Sequence, residues 1–186
     1  MASVLVPLAE GCEELEAVTI IDLLRRAGIE VVSAGLNDQP VKASHGVTLV
    51  PDTTLDEALE QQFDMVVLPG GQPGSDRLNA DLRLREILKK MSDSGRFIGA
   101  ICAAPKVLAS MGLLRGRHAT SYPGVLDAMN VPGLHFSHDA VVTDGKIITS
   151  RGPGTAMDFA LCLVEQLVGA EKREEVERAL VRTAPA

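Results

Sequence analysis

Three places in this chain carry residues suited to covalent and proton-transfer chemistry: the cysteine of FIGAICAAP (Cys102), the glutamate closing GCEELE (Glu16) and the glycine pair of VVLPGG (Gly70 and Gly71). A thiol attacks as its thiolate, so it needs hydrogen-bond donors or positive charge close by. Cys102 ends an apolar run and precedes Ala103, Ala104 and Pro105, which puts it where a strand gives way to a helix. Unpaired amides and the positive end of the helix dipole favour a negative sulfur there, and a lowered thiol pKa is expected. The competing reading is a small packed side chain, the usual fate of a free cysteine.

Glu13 and Glu14 open a helix, where the dipole alone favours acidic residues. Glu16 lies between Leu15 and Ala17, at a helical position that can face the sheet edge. Desolvation there would raise its pKa and let it carry and donate a proton; otherwise it is one more solvated glutamate. Gly70 and Gly71 either mark a tight turn or let a reacting oxygen approach two backbone N–H groups. Of the histidines, only His135 and His138 have a ligand-like spacing, and no third ligand accompanies them, so they are read as structural and no metal is expected. Cys12 falls near the same edge as Glu16, and Cys162 sits between Leu161 and Leu163 in a helix, as a core residue.

The elements that must hold these residues alternate between strand and helix, the pattern of an α/β layer with a largely parallel sheet. SVLVPLA, EVVSAG, DMVVLPGG and RFIGAI read as strands, and EELEAVTIIDLLRRAG, DLRLREILKKMSDSG and APKVLASMG as helices ended by Gly28, Gly95 and Gly112. In the first of these helices the apolar positions Leu15, Val18, Ile21 and Leu24 or Leu23 suggest its buried stripe. VKASHGVTLVP reads as a hairpin, Thr54 with Glu57 as a capping box, and AVVTDGKIIT as a second hairpin. AMDFALCLVEQLVG and EKREEVERAL follow as a buried and a surface helix. In a parallel sheet the loops after successive strands meet at one edge, so AEGCEELE, PGGQPGSD, CAAP and SRGPG are expected to be neighbours.

The composition narrows the classes. With 186 residues, 46% hydrophobic and 23% charged, the chain suits one domain spanning 1–186. It has no apolar run long enough for a bilayer, and the first residues lack the features of a secretory signal, so a cytoplasmic location and no membrane partner are expected. Three cysteines at these spacings suit neither a disulfide framework nor structural zinc. A net charge of -7 with 3% aromatics argues against nucleic acid as a partner.

Taken together, EGCEELEAVTIIDLLRRAG, VVLPGG, AAP after AIC, and TSRGPGTAMDFAL resemble the ThiJ/PfpI superfamily, and within it the Parkinsonism-associated deglycase subfamily and its bacterial relatives. The resemblance runs over nearly the whole chain. It implies an α/β fold, a flavodoxin-like three-layer sandwich with a mostly parallel sheet of the class I glutamine amidotransferase-like type, assembled as a homodimer. It makes Cys102 the reactive cysteine and Glu16 its protonated hydrogen-bonding partner. Gly70 and Gly71 match the amides facing the substrate oxygen, with Ala103 as a further donor, and Arg151 borders the site near the dimer interface. Where relatives often have histidine before proline, this chain has Tyr122 before Pro123, a possible hydroxyl donor. The implied activity is a cofactor-free, glutathione-independent glyoxalase or deglycase acting on methylglyoxal, glyoxal and their adducts on protein side chains. The rival is a redox-responsive chaperone or oxidative-stress sensor using the same cysteine.

Overall fold

The structure is a computed structural model that describes residues 1–182; the last positions of the expected 1–186 unit lie outside the described residues. Its centre is a seven-stranded sheet whose inner strands are short apolar runs buried on both faces, while the edge strands are only partly buried. The strands are β1 (Ser3–Leu8), β2 (Glu30–Gly35), β5 (Thr53–Thr54), β6 (Met65–Leu68), β7 (Phe97–Ile101), β10 (Val141–Asp144) and β11 (Ile147–Ser150), in the order β10-β11-β7-β6-β1-β2-β5. All neighbours run parallel except β10, which returns antiparallel to β11 as the second hairpin. The expected first hairpin forms from β3 (Val41–Lys42) and β4 (Thr48–Leu49), and a separate small parallel pair from β8 (His118–Ala119) and β9 (His135–Phe136).

Side-chain alternation along the strands divides the core in two. Val4, Val6 and Leu8 face one layer with Met65 and Val67; Leu5, Val66, Leu68, Ile98 and Ala100 face the other. The first layer is covered by α1 (Glu14–Arg26) and α6 (Ala156–Val168), and α7 (Ala170–Ala179) adds the buried Val176. The second layer is covered by α2 (Leu55–Ala58), α3 (Gly74–Ala80), α4 (Leu82–Asp93) and α5 (Pro105–Ser110). This is the three-layer α/β sandwich expected. Gly99 matters to the first layer: a Cβ there would come within 3.2 Å of Phe159, so glycine lets α6 seat against β7.

Two expectations about helices change. The buried side of α1 is Ala17, Ile20, Leu23 and Leu24, with Glu16 in the same stripe, whereas Leu15 and Val18 are about half exposed. Both stripes repeat at helical spacing and share Leu24, and docking against the sheet and α6 selected the side that carries Ala17, Ile20 and Leu23. Secondly, PGGQPGSD is more than a loop, because its Gly74 begins α3, a turn-rich segment without the apolar periodicity that would reveal a helix. Cys162 is half-buried and packs against the core rather than inside it.

Candidate active site

The chain winds outward from β1 in both directions, to β2 and β5 on one side and to β6, β7 and β11 on the other. The crevice of such a sheet lies outside the carboxyl ends of the strands where the order reverses, here between β1 and β6. The four expected loops meet there. Glu13 N–H donates to the Gly70 carbonyl at 2.9 Å, and Gly74 N–H to Gly11 at 3.2 Å. Cys102 N–H donates to Ser150 at 3.0 Å, and Tyr122 N–H to the Cys102 carbonyl at 2.9 Å.

Cys102 stands on the turn from β7 into α5, with φ at 63°, the left-handed region that side chains with a Cβ rarely occupy. Holding a non-glycine residue there costs on the order of 1 kcal/mol or more, offset by the two backbone bonds just given and by Pro105, whose ring presets the first turn of α5. The same turn aims a side chain outward from the sheet edge in nucleophile elbows. Cys102 is 8% exposed.

Glu16 reaches this turn from α1 and is 0% exposed. Its Oε2 accepts the Gly70 N–H at 2.8 Å. Its Oε1 is buried with no hydrogen-bond partner among the described residues, and the Cys102 thiol is a neighbour of the same carboxyl. Gly70 is what lets the two meet: a Cβ there would lie 2.5 Å from the Cys102 Cβ and 2.6 Å from Glu16 Oε2.

Burial pushes Glu16 up to about 7 from its ordinary 4.5, against the opposing Gly70 amide and Cys102 thiol. Burial and the neighbouring Glu16 carboxylate push Cys102 up to about 12, while the Gly71 and Ala103 amides pull the other way. The expected lowering of the thiol pKa therefore fails for an ionised Glu16, because a buried thiolate beside a carboxylate would place two negative charges together. Protonating Glu16 removes that repulsion and turns the acid into a donor to sulfur. The two groups titrate as a pair that holds two protons below about 7 and one between there and about 12.

The remaining expected residues are placed as follows. The Gly70 amide donates to Glu16 Oε2, and the amides turned toward the sulfur are those of Gly71 and Ala103. Tyr122, half-exposed, packs over Gly152, and with Pro123, Arg151, Pro153, Gly154 and Thr155 it lines a shallow cavity of about 190 Å³. Arg151 donates to the His138 carbonyl at 3.0 Å. Cys102 does not itself line that cavity, though Tyr122 is bonded to its backbone. Sequence reasoning missed Ser150, which accepts the Cys102 N–H and fixes the next loop through its hydroxyl, 2.7 Å from Thr155 Oγ1. It also missed His45, which the first hairpin brings against Glu13 and Glu14.

A thiol on a strained strand-to-helix turn, beside a buried glutamate at the switch point of a doubly wound sheet, marks a class of α/β sandwich proteins. The sequence comparison sharpens that class: residues 2–166 match the DJ-1/PfpI family, and the chain belongs to it. It is 45% identical to Protein dj-1beta of Drosophila melanogaster over 180 residues, covering 96% of both chains. It is 40% identical to Glutathione-independent glyoxalase DJR-1.2 of Caenorhabditis elegans over 179 residues, covering 96% of this chain and 95% of the relative. The crystal structure of Drosophila melanogaster DJ-1beta superposes with a TM-score of 0.93 at 44% identity, covering 98% of this chain and 99% of that one.

Proposed function

We propose that this protein is a glutathione-independent glyoxalase that converts methylglyoxal and glyoxal to lactate and glycolate, and that on their early adducts Cys102 takes the place of the modified side chain, whose C–S or C–N bond breaks and which leaves with a proton as the free group, before the same rearrangement. The observation that carries this reading is the fully buried Glu16 carboxyl beside the Cys102 thiol on its left-handed turn, where burial raises the pKa of both groups. The similarity to a relative named as a glutathione-independent glyoxalase supports the reaction class.

In the proposed reaction Glu16 is the acid and the Cys102 thiolate attacks the aldehyde carbon, forming a C–S bond; the carbonyl oxygen takes a proton to give a hemithioacetal. The amides of Gly71 and Ala103 favour negative charge in this corner, whether on sulfur or on the developing oxygen. Glu16, as carboxylate, removes the hydrogen from the former aldehyde carbon to give an enediol, then returns a proton to the neighbouring carbon. The aldehyde carbon is thereby oxidised to a thioester as its neighbour is reduced to an alcohol, so no outside oxidant is required. Water cleaves the thioester, releasing the hydroxy acid and restoring the Cys102 thiol. Tyr122 and Arg151 border the entrance and shape which aldehydes reach the sulfur.

The proposal includes a homodimer. Its support is the outward stripe of α1, where Leu15 and Val18 stand about half exposed, with exposed Val47 and Val50 as further apolar surface. A cytoplasmic setting suits a free reactive thiol. The test of the activity is glutathione-free conversion of methylglyoxal to lactate, with many product molecules per chain; a stoichiometric reaction that stops after one event would replace the enzyme with the oxidative sensor.

A further inference from the structure

Glu13 and Glu14 are 8% and 9% exposed, yet neither is paired with a lysine or arginine among the described residues. Carboxylates withdrawn this far from water are ordinarily paired with a cation or bind a metal. The helix N-terminus supplies a positive end of only about half a charge against their two. One hydroxyl serves both: Ser44 Oγ stands 3.0 Å from Glu13 Oε2 and 3.0 Å from Glu14 Oε2, and its single proton can satisfy one of them. Glu14 Oε1 also accepts the backbone N–H groups of His45 at 2.9 Å and Val47 at 3.4 Å, which orient the carboxylate but bring it no compensating charge.

The group facing the two carboxylates comes from a different element. His45, on the turn between β3 and β4, places its Nδ1 3.2 Å from Glu13 Oε2 and 3.4 Å from Glu14 Oε2, with its side chain 73% exposed. Oxygen and imidazole donors held about 2.0–2.2 Å from a tetrahedral Zn²⁺ stand roughly 3.3–3.6 Å from one another. The two separations are close to that edge length, and the three donor atoms all lie within 4.8 Å of one another.

We infer that Glu13, Glu14 and His45 form a binding site for a divalent transition-metal cation of the Zn²⁺ type, with Ser44 orienting the carboxylates and water completing the shell. The site is separate from the chemistry at Cys102, although Glu13 touches that region through its backbone bond to Gly70. A bound cation would neutralise the excess carboxylate charge and tie the first hairpin to the start of α1.

The test is titration of the full-length protein with Zn²⁺ by calorimetry, and with Co²⁺ followed by visible absorption. One equivalent per chain is expected, with Co²⁺ d–d bands typical of nitrogen and oxygen ligands and no thiolate charge-transfer band. His45→Ala and Glu13→Gln should each weaken binding by at least roughly tenfold. A His118→Ala/His135→Ala double variant should bind as the wild type does, because those two histidines, stacked elsewhere, are the alternative surface site. The inference is overturned by no binding to the wild type, by undiminished binding in either His45→Ala or Glu13→Gln, by loss in the double variant, or by a thiolate band that moves the metal to cysteine.

Discussion

Glu16 and Cys102 occupy one buried site in which the Glu16 carboxyl accepts the Gly70 amide at 2.8 Å through Oε2, keeps Oε1 buried without a hydrogen-bond partner, and neighbours the Cys102 thiol. Neither group can ionise independently. The chemistry proposed for the protein follows from that coupling, and so do the first two predictions.

The rate of aldehyde turnover should rise with pH through about 7, where the pair goes from two protons to one and the thiolate becomes accessible, and should then stay level over the alkaline range reached before about 12. A pH profile of kcat/KM checks this. A profile flat across neutrality would show that another group governs the nucleophile.

The same burial makes Glu16 a cost to the fold. Its pKa is raised in the native state from 4.5 to about 7, so between those values the folded protein holds a proton that the unfolded chain has lost. Stability therefore falls as pH rises through this window, by about 3 kcal/mol in all, and stays lower above it. Glu16→Gln should accordingly raise the unfolding midpoint more at pH 8 than at pH 5 while slowing turnover by about 10²–10⁴-fold. Denaturant melts at the two pH values measure the difference; equal gains would mean that Glu16 keeps an ordinary pKa.

Backbone strain at Cys102 can be separated from its chemistry. With φ at 63°, a Cβ is disfavoured at this position. Cys102→Gly should therefore be more stable than Cys102→Ala by about 1 kcal/mol, although both lack the thiol. Equal stabilities would show that surrounding contacts absorb the turn without strain.

Much of this was legible in advance, and what was missed has physical reasons. The alternation of apolar runs and helices, the two hairpins and the Thr54/Glu57 capping box all depend on local patterns, and all appear. Glu16 points inward as its helical position allowed. The side of α1 that docks was misread because the Leu15/Val18 and Ala17/Ile20 stripes are both apolar, and only packing decides between them. The thiol pKa was misjudged because the helix-end argument is local, whereas the opposing carboxylate arrives from α1. Ser150 and His45 act through residues distant in sequence, and no spacing within their own segments announces them.

The outward stripe of α1 yields a prediction about assembly. Sedimentation of the wild type should give twice the chain mass, and Val18→Asp, which places a charge on the half-exposed apolar stripe, should shift it toward the monomer without unfolding the chain. A wild-type monomer would assign that surface to another partner.

The most direct measurement is lactate formed from methylglyoxal without glutathione, comparing wild type, Cys102→Ser and Glu16→Gln at equal concentration. The account predicts multiple turnovers by the wild type, no turnover above background with Cys102→Ser, and a rate reduced by about 10²-fold or more with Glu16→Gln. Turnover retained by Cys102→Ser would contradict it, because the shared proton would then serve no nucleophile.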